Sequence, residues 1–290
     1  MSLLSGLEKY GFSTSEIDNL FEDEEKARKK TEKTPKEVVI PKEDDFLLVK
    51  STRCPICDHV FKMKMVKSGR AKRLEPDRDL RPRYEYIDVL KYDVASCPYC
   101  GYTALNRYFS HVSSAQIKLI REGVMSKFRR EGFVVEEVDN SPYSYEEAIE
   151  RYKLAIFNTI VKKGKSSEKA YECLKIAWLY RGQIEVLERE MPEAVHTIDA
   201  TKKEELAFYK QAYDGFKKAI GSELFPMCGM DQGTMDLLLA AMAMRMENYD
   251  EAARFLASTI GSRTVNPNMK RRAVDMKQEL LETMKKNANQ

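Results

Sequence analysis

Two short cysteine pairs are the residues best placed to do chemistry: Cys54-Pro-Ile-Cys57 and Cys97-Pro-Tyr-Cys100, the second followed by Gly101. Each pair forms a tight turn that aims two sulfurs at one point. Two such turns make a four-thiolate tetrahedral site, and zinc is the ion expected there. Proline stiffens both turns, and Gly101 supplies a backbone conformation that a residue with a Cβ resists. A closed four-sulfur shell leaves no open position for water or substrate, so the expected role of the metal is structural. Redox exchange through the CxxC pairs is the rival reading. It fits less well, because two pairs are present and neither opens an evident helix after a strand. His59 could replace a sulfur, but four already suffice. His111 and His196 stand alone, and Cys173 and Cys228 read as buried thiols. The chain has no P-loop, GxSxG, HExxH or dinucleotide fingerprint, and no enzyme is expected.

A second cluster is basic. Lys62, Lys64, Lys67, Arg70, Lys72 and Arg73 crowd a stretch with no acid between residues 59 and 74. Such a positive finger can track phosphates, so nucleic acid is the alternative partner. The plain alternatives are a solvated edge strand and cations balancing thiolate charge. A third feature is the loop Asp77-Arg-Asp-Leu-Arg-Pro-Arg83, which ion pairs could tie down or which could donate polar groups to an enzyme site between domains.

These groups must be positioned by the rest of the chain. Its 290 residues are 43 % hydrophobic and 33 % charged, with a net charge of +3. That balance carries no global field pointing to nucleic acid or membrane. No apolar run approaches the roughly 20 residues that span a bilayer. The start lacks a basic, apolar leader pattern, and paired cysteines in a chain this long suit a reducing compartment. The expectation is a cytoplasmic protein.

The expected fold class is α+β: a small zinc-ribbon-like β domain followed by an α-helical, tetratricopeptide-like domain. Residues 1–45 hold a short helix, begun by the capping pair Ser13/Glu16, and a charged linker over 22–45 too polar to order itself. Residues 46–112 form the metal domain. In it, Phe61–Met65 alternates as a strand, Ser68-Gly69 turns, Arg70–Leu74 returns as its partner, and Tyr92–Ser96 leads into the second cysteine turn. Residues 113–140 are a connecting helix followed by an extended segment at 133–138. Residues 141–290 are helical. Capping boxes are read at Ser144/Glu147, Thr201/Glu204 and Asn248/Glu251, and Asn266-Pro267 opens a last helix. Two more helices are expected near 167–190 and 233–247. A unit of aromatics and alanines recurs at Tyr145/Ala148/Tyr152/Ala155, at Tyr209/Ala212/Phe216/Ala219 and, more loosely, at Tyr249/Ala252/Leu256. It resembles the second helix of tetratricopeptide repeats, although its spacing is irregular.

The combination resembles a bacterial family known as domain of unknown function 2225. The matching stretches are Cys54-Pro-Ile-Cys57, Asp79-Leu-Arg-Pro-Arg-Tyr-Glu85, Lys91-Tyr-Asp93, Cys97-Pro-Tyr-Cys-Gly-Tyr102, Ser114-Ala-Gln-Ile-Lys118 and Tyr145–Lys153. The resemblance implies a zinc-ribbon-like front and a tetratricopeptide-like back, and it brings no catalytic residues. The expected function is a zinc-stabilised adaptor that binds a protein or peptide through its helices.

Overall fold

The computed structural model describes residues 40–129 and 140–288. The helix expected near residue 13, most of the linker and the extended segment 133–138 lie outside them. The end of that linker is structured. Glu43–Phe46 forms a 3-10 turn, and Glu43 accepts hydrogen bonds from Lys91 and Tyr92.

The front of the molecule is two antiparallel hairpins. β1 (Leu47–Arg53) pairs with β2 (Val60–Val66), in register from Leu47 opposite Val66 to Arg53 opposite Val60. β3 (Val94–Ser96) pairs with β4 (Thr103–Leu105). Each cysteine turn is the loop of one hairpin. This corrects the expected partner of the 61–65 strand, which is the upstream β1 and not Arg70–Leu74. Ser68-Gly69 does turn the chain, with Gly69 at φ 72°, but Arg73 beyond it makes only an isolated bridge to Tyr84. The cysteine turn closes its own hairpin, so β2 is already paired when the chain reaches Gly69.

Among the described residues, seven helices follow. α1 (Ser114–Ile120) opens with a Ser113/Gln116 capping box and passes into a π-helical turn at Arg121–Met125. α2 (Tyr145–Val161) has the expected capping box: Glu147 N–H donates to Ser144 Oγ, and Ser144 N–H to Glu147 Oε2. α3 spans Ser166–Glu190, α4 Val195–Ile220, α5 Gln232–Arg245, α6 Tyr249–Gly261 and α7 Pro267–Ala288. The last is capped as expected, Met269 N–H donating to Asn266 Oδ1 at 2.9 Å. Two expected caps are not formed. α4 begins ahead of Thr201, whose hydroxyl donates to the Thr197 carbonyl one turn back. Threonine satisfies itself this way in helix interiors, and a Thr-x-x-Glu spacing does not distinguish the two settings. Asn248 caps no backbone N–H and donates instead to the Glu251 carboxylate.

Consecutive helices lie side by side, α2 on α3, α3 on α4, α5 on α6 and α6 on α7. The recurring aromatics and alanines face inward: Ala148, Tyr152, Ala155, Tyr209, Ala212, Phe216 and Ala219 have no exposed surface. Each large apolar side chain so buried contributes roughly 1.5–3 kcal/mol. The same core takes in Leu90, Val94 and Leu105 from the front, so hairpin and helices share one apolar interior. Tyr152 seals the join by donating its hydroxyl to the Leu90 carbonyl at 2.9 Å.

The charged loop is fixed to the helices by ion pairs. Arg81, 2 % exposed, reaches Glu185 on α3 at 2.9 Å. Arg83 meets Glu185 and Asp77. Asp79 accepts from Trp178 at 3.0 Å and from Arg181 at 2.8 Å. Burial alone would push the Asp79 carboxyl up. The Arg181 guanidinium overrides it and holds the group below the usual carboxylate range. Glu205 on α4 joins Arg181 to Arg245 on α5. Among the described residues no helix is long and apolar enough to cross a membrane.

Candidate metal centre

The two cysteine turns are built alike. In the first, Cys54 N–H donates to the His59 carbonyl and Asp58 N–H to the Cys54 carbonyl, both at 2.9 Å. In the second, Cys97 N–H donates to the Tyr102 carbonyl at 2.8 Å and Gly101 N–H to the Cys97 carbonyl at 3.0 Å. The residue after each second cysteine is left-handed, Asp58 at φ 63° and Gly101 at φ 73°. That turns the chain back into β2 and β4. The first turn tolerates a side chain there. The second does not, because a Cβ on Gly101 would stand 2.3 Å from the Phe128 ring.

The turns face one another. Cys54 Sγ lies 3.6 Å from Cys100 Sγ, and Cys57 Sγ 3.6 Å from Cys97 Sγ. All four sulfurs lie within 4.8 Å of one another. A tetrahedral ion with sulfur at about 2.3 Å has sulfur–sulfur edges of about 3.8 Å, so the cluster has the size of such a site. Cys54, Cys97 and Cys100 are fully buried, among Ile56, Phe61, Tyr102 and Phe109. Packed this closely, the four sulfurs perturb one another's protonation. The neighbouring Cys100 and Cys54 sulfurs hold the Cys97 thiol below its ordinary range. Cys100 is driven above that range by its contacts with Cys54 and Cys97 and by burial. A bound dication would relieve that conflict by stabilising every thiolate at once.

Two side chains that the sequence reading did not single out brace the centre. Arg121 donates twice to the Ile56 carbonyl inside the first turn, at 3.1 and 2.8 Å. Asn158 on α2 donates to the Gly101 carbonyl at 3.2 Å and so ties the second turn to the helices. Arg121 carries no sequence signal. Asn158 does carry one, a polar residue interrupting the buried stripe of α2.

The other candidates separate cleanly. His59 lies outside the sulfur cluster, its ring stacked on Tyr99 at 4.5 Å. His111 and His196 are exposed. Cys173 is buried on α3, and burial pushes its thiol up to about 12. Cys228 is half-buried and donates to the Ser167 carbonyl. The six basic residues do not share one hairpin. Lys62, Arg70 and Arg73 are exposed. Lys64 is buried, its ammonium on the Ser141 carbonyl and 4.6 Å above the Tyr143 ring. Lys67 donates to the Asp45 carbonyl, and Lys72 pairs with Glu85 at 3.3 Å.

A family described as "uncharacterized protein conserved in bacteria" (DUF2225) matches residues 47–284, and the chain belongs to it. No curated protein and no solved structure matches the chain.

Proposed function

We propose that this member of the family is an adaptor whose front is held closed by zinc and whose helices bind a protein or peptide. Four sulfurs at tetrahedral spacing suit zinc, with iron the other ion that such a set selects. With every coordination position taken by protein, a metal there organises the fold and does not meet substrate.

The partner reading is carried by one observation, the outer face of α7. Val274 and Leu281 are 50 % and 49 % exposed there, two turns apart on one side of the helix. An apolar stripe on the surface of an otherwise strongly charged chain is the usual mark of a contact surface. The inward aromatic–alanine units would then be tetratricopeptide-like packing, with α7 as the terminal helix presented to the partner.

The test is native mass spectrometry of tagged chain purified from its own host, beside a Val274→Glu/Leu281→Glu variant. The expected result is one zinc per chain and a protein or peptide retained by the unaltered chain and lost from the variant. No retained species, or the same species on both, would refute the partner reading.

A further inference from the structure

Three clefts of similar size flank the charged loop, and their walls differ in what they leave free. The cleft beside Arg81 and Arg83 holds about 680 Å³, but both cations are committed to Glu185. The cleft beside Asp79 holds about 770 Å³, and its Arg181 and Arg245 are committed to Asp79 and Glu205. The third holds about 630 Å³. It runs between the front and helices α3, α5 and α7, and its lining includes Tyr84, Tyr92, Tyr171, Trp178, Leu238 and Met269. Lys175 in its wall is neutralised by Asp93. Arg73 and Arg272 also line it. No carboxylate among the described residues pairs with either. Among the described residues Arg272 has one hydrogen bond, to the Asp77 carbonyl at 3.3 Å.

We propose that this third cleft is a binding site for a small aromatic anion, its rings against the half-buried Tyr84, Tyr171 and Met269 and its acidic group received by Arg73 and Arg272. The volume falls inside the roughly 300–1,000 Å³ of small-molecule pockets. Aromatic and apolar walls favour flat ring systems. Two arginines without carboxylate partners give the site a positive balance that an acidic group would neutralise, in the forked geometry that guanidinium offers carboxylate and sulfonate. The inference is independent of the adaptor reading, since neither the sulfur cluster nor the outer face of α7 enters it.

Trp178 is the one tryptophan of the chain, and it lines this cleft. It therefore reports on the site without a label. The probe is 1-anilinonaphthalene-8-sulfonate, titrated into the full, metal-loaded chain with excitation of the tryptophan. The expected result is saturable one-to-one binding with energy transfer from Trp178. Arg73→Ala, an exposed change that leaves the core alone, weakens it by about fivefold, as expected for loss of one partly exposed ion pair. The uncharged analogue N-phenyl-1-naphthylamine binds more weakly than the sulfonate. Thr234→Phe, which projects a ring into the cleft, abolishes binding while the circular dichroism spectrum is retained. If Thr234→Phe does not fold, Arg73→Ala and the uncharged analogue still decide. Absence of saturable binding, transfer from Trp178 to several weak sites, or an affinity indifferent to Arg73→Ala and to the probe's charge would overturn the proposal.

Discussion

Replacing Gly101 by alanine tests the geometry of the sulfur cluster, and Asp58→Gly is its matched control. The two positions do the same job in the two turns, at φ 73° and 63°. An alanine at 101 meets two costs. The left-handed backbone costs a residue with a Cβ about 1 kcal/mol. The new methyl would also lie 2.3, 2.7 and 2.9 Å from three carbons of the Phe128 ring. Moving a packed ring out of such contacts costs typically 1–3 kcal/mol. The sum is about 2–4 kcal/mol. If it falls wholly on the metal-bound form, affinity drops by about 30-fold to 1,000-fold. Asp58→Gly relieves the backbone strain and gives up only the exposed contact with Arg53 at 4.0 Å, which is worth little. It should leave affinity and stability within about 1 kcal/mol of the parent. Zinc competition against a chromogenic chelator reads the first quantity and thermal unfolding the second. Equal affinity and stability in Gly101→Ala and parent would show that the second turn does not need the left-handed, uncrowded position, and the reasoning would fail.

Glu172 and the charged loop give two further expectations. Glu172 is fully buried on α3, with Thr159 donating to one oxygen at 2.9 Å and no partner for the other among the described residues. Burial, reinforced by Glu168, raises its carboxyl to about 8. The folded state therefore holds this proton more tightly than the unfolded chain. Its stability falls as pH rises from about 4.3 towards 8, then levels. Glu172→Gln keeps the contact with Thr159 and removes the charge, so its stability relative to the parent should climb by about 3–5 kcal/mol across that window; urea melts at pH 5 and pH 9 that differ equally in both proteins would contradict this. Arg81→Ala, which removes a buried guanidinium from Asp88 while Glu185 keeps Arg83, should cost about 1.5–3 kcal/mol. Arg78→Ala, which breaks an exposed pair with Glu279, should cost under about 1 kcal/mol. Similar urea midpoints for these two variants would show that the Arg81 ion pairs do not fix the charged loop to the helices.

How far the fold was legible depended on how local its signals are. The sulfur quartet could be read because cysteine spacing alone encodes a turn. The helices could be read because alanines and aromatics at three-four spacing face one way, and Ser144 and Asn266 mark true starts. β1 and β4 were hidden for different reasons. Leu47–Arg53 runs from apolar to polar without alternating, and Thr103–Leu105 has three residues, all buried. The partner of β2 was misassigned because a Ser-Gly turn looks like a hairpin loop, whereas the loop that does the pairing is the cysteine turn itself. Lys64 looked like a surface charge because strand alternation does not register a hydrogen bond to Ser141, 77 residues away. The pairing of Arg81 with Glu185 was equally remote, although the density of charge in residues 77–83 marked the loop as one that ion pairs would tie.

Four sulfurs drawn from two hairpins are proposed to hold one ion between them. X-ray absorption at the zinc edge on protein expressed with zinc tests it most directly. One zinc per chain is expected, with four sulfur neighbours at about 2.3 Å and no nitrogen or oxygen in the shell. Substoichiometric zinc, or a shell that includes the His59 imidazole or water in place of a sulfur, would contradict it.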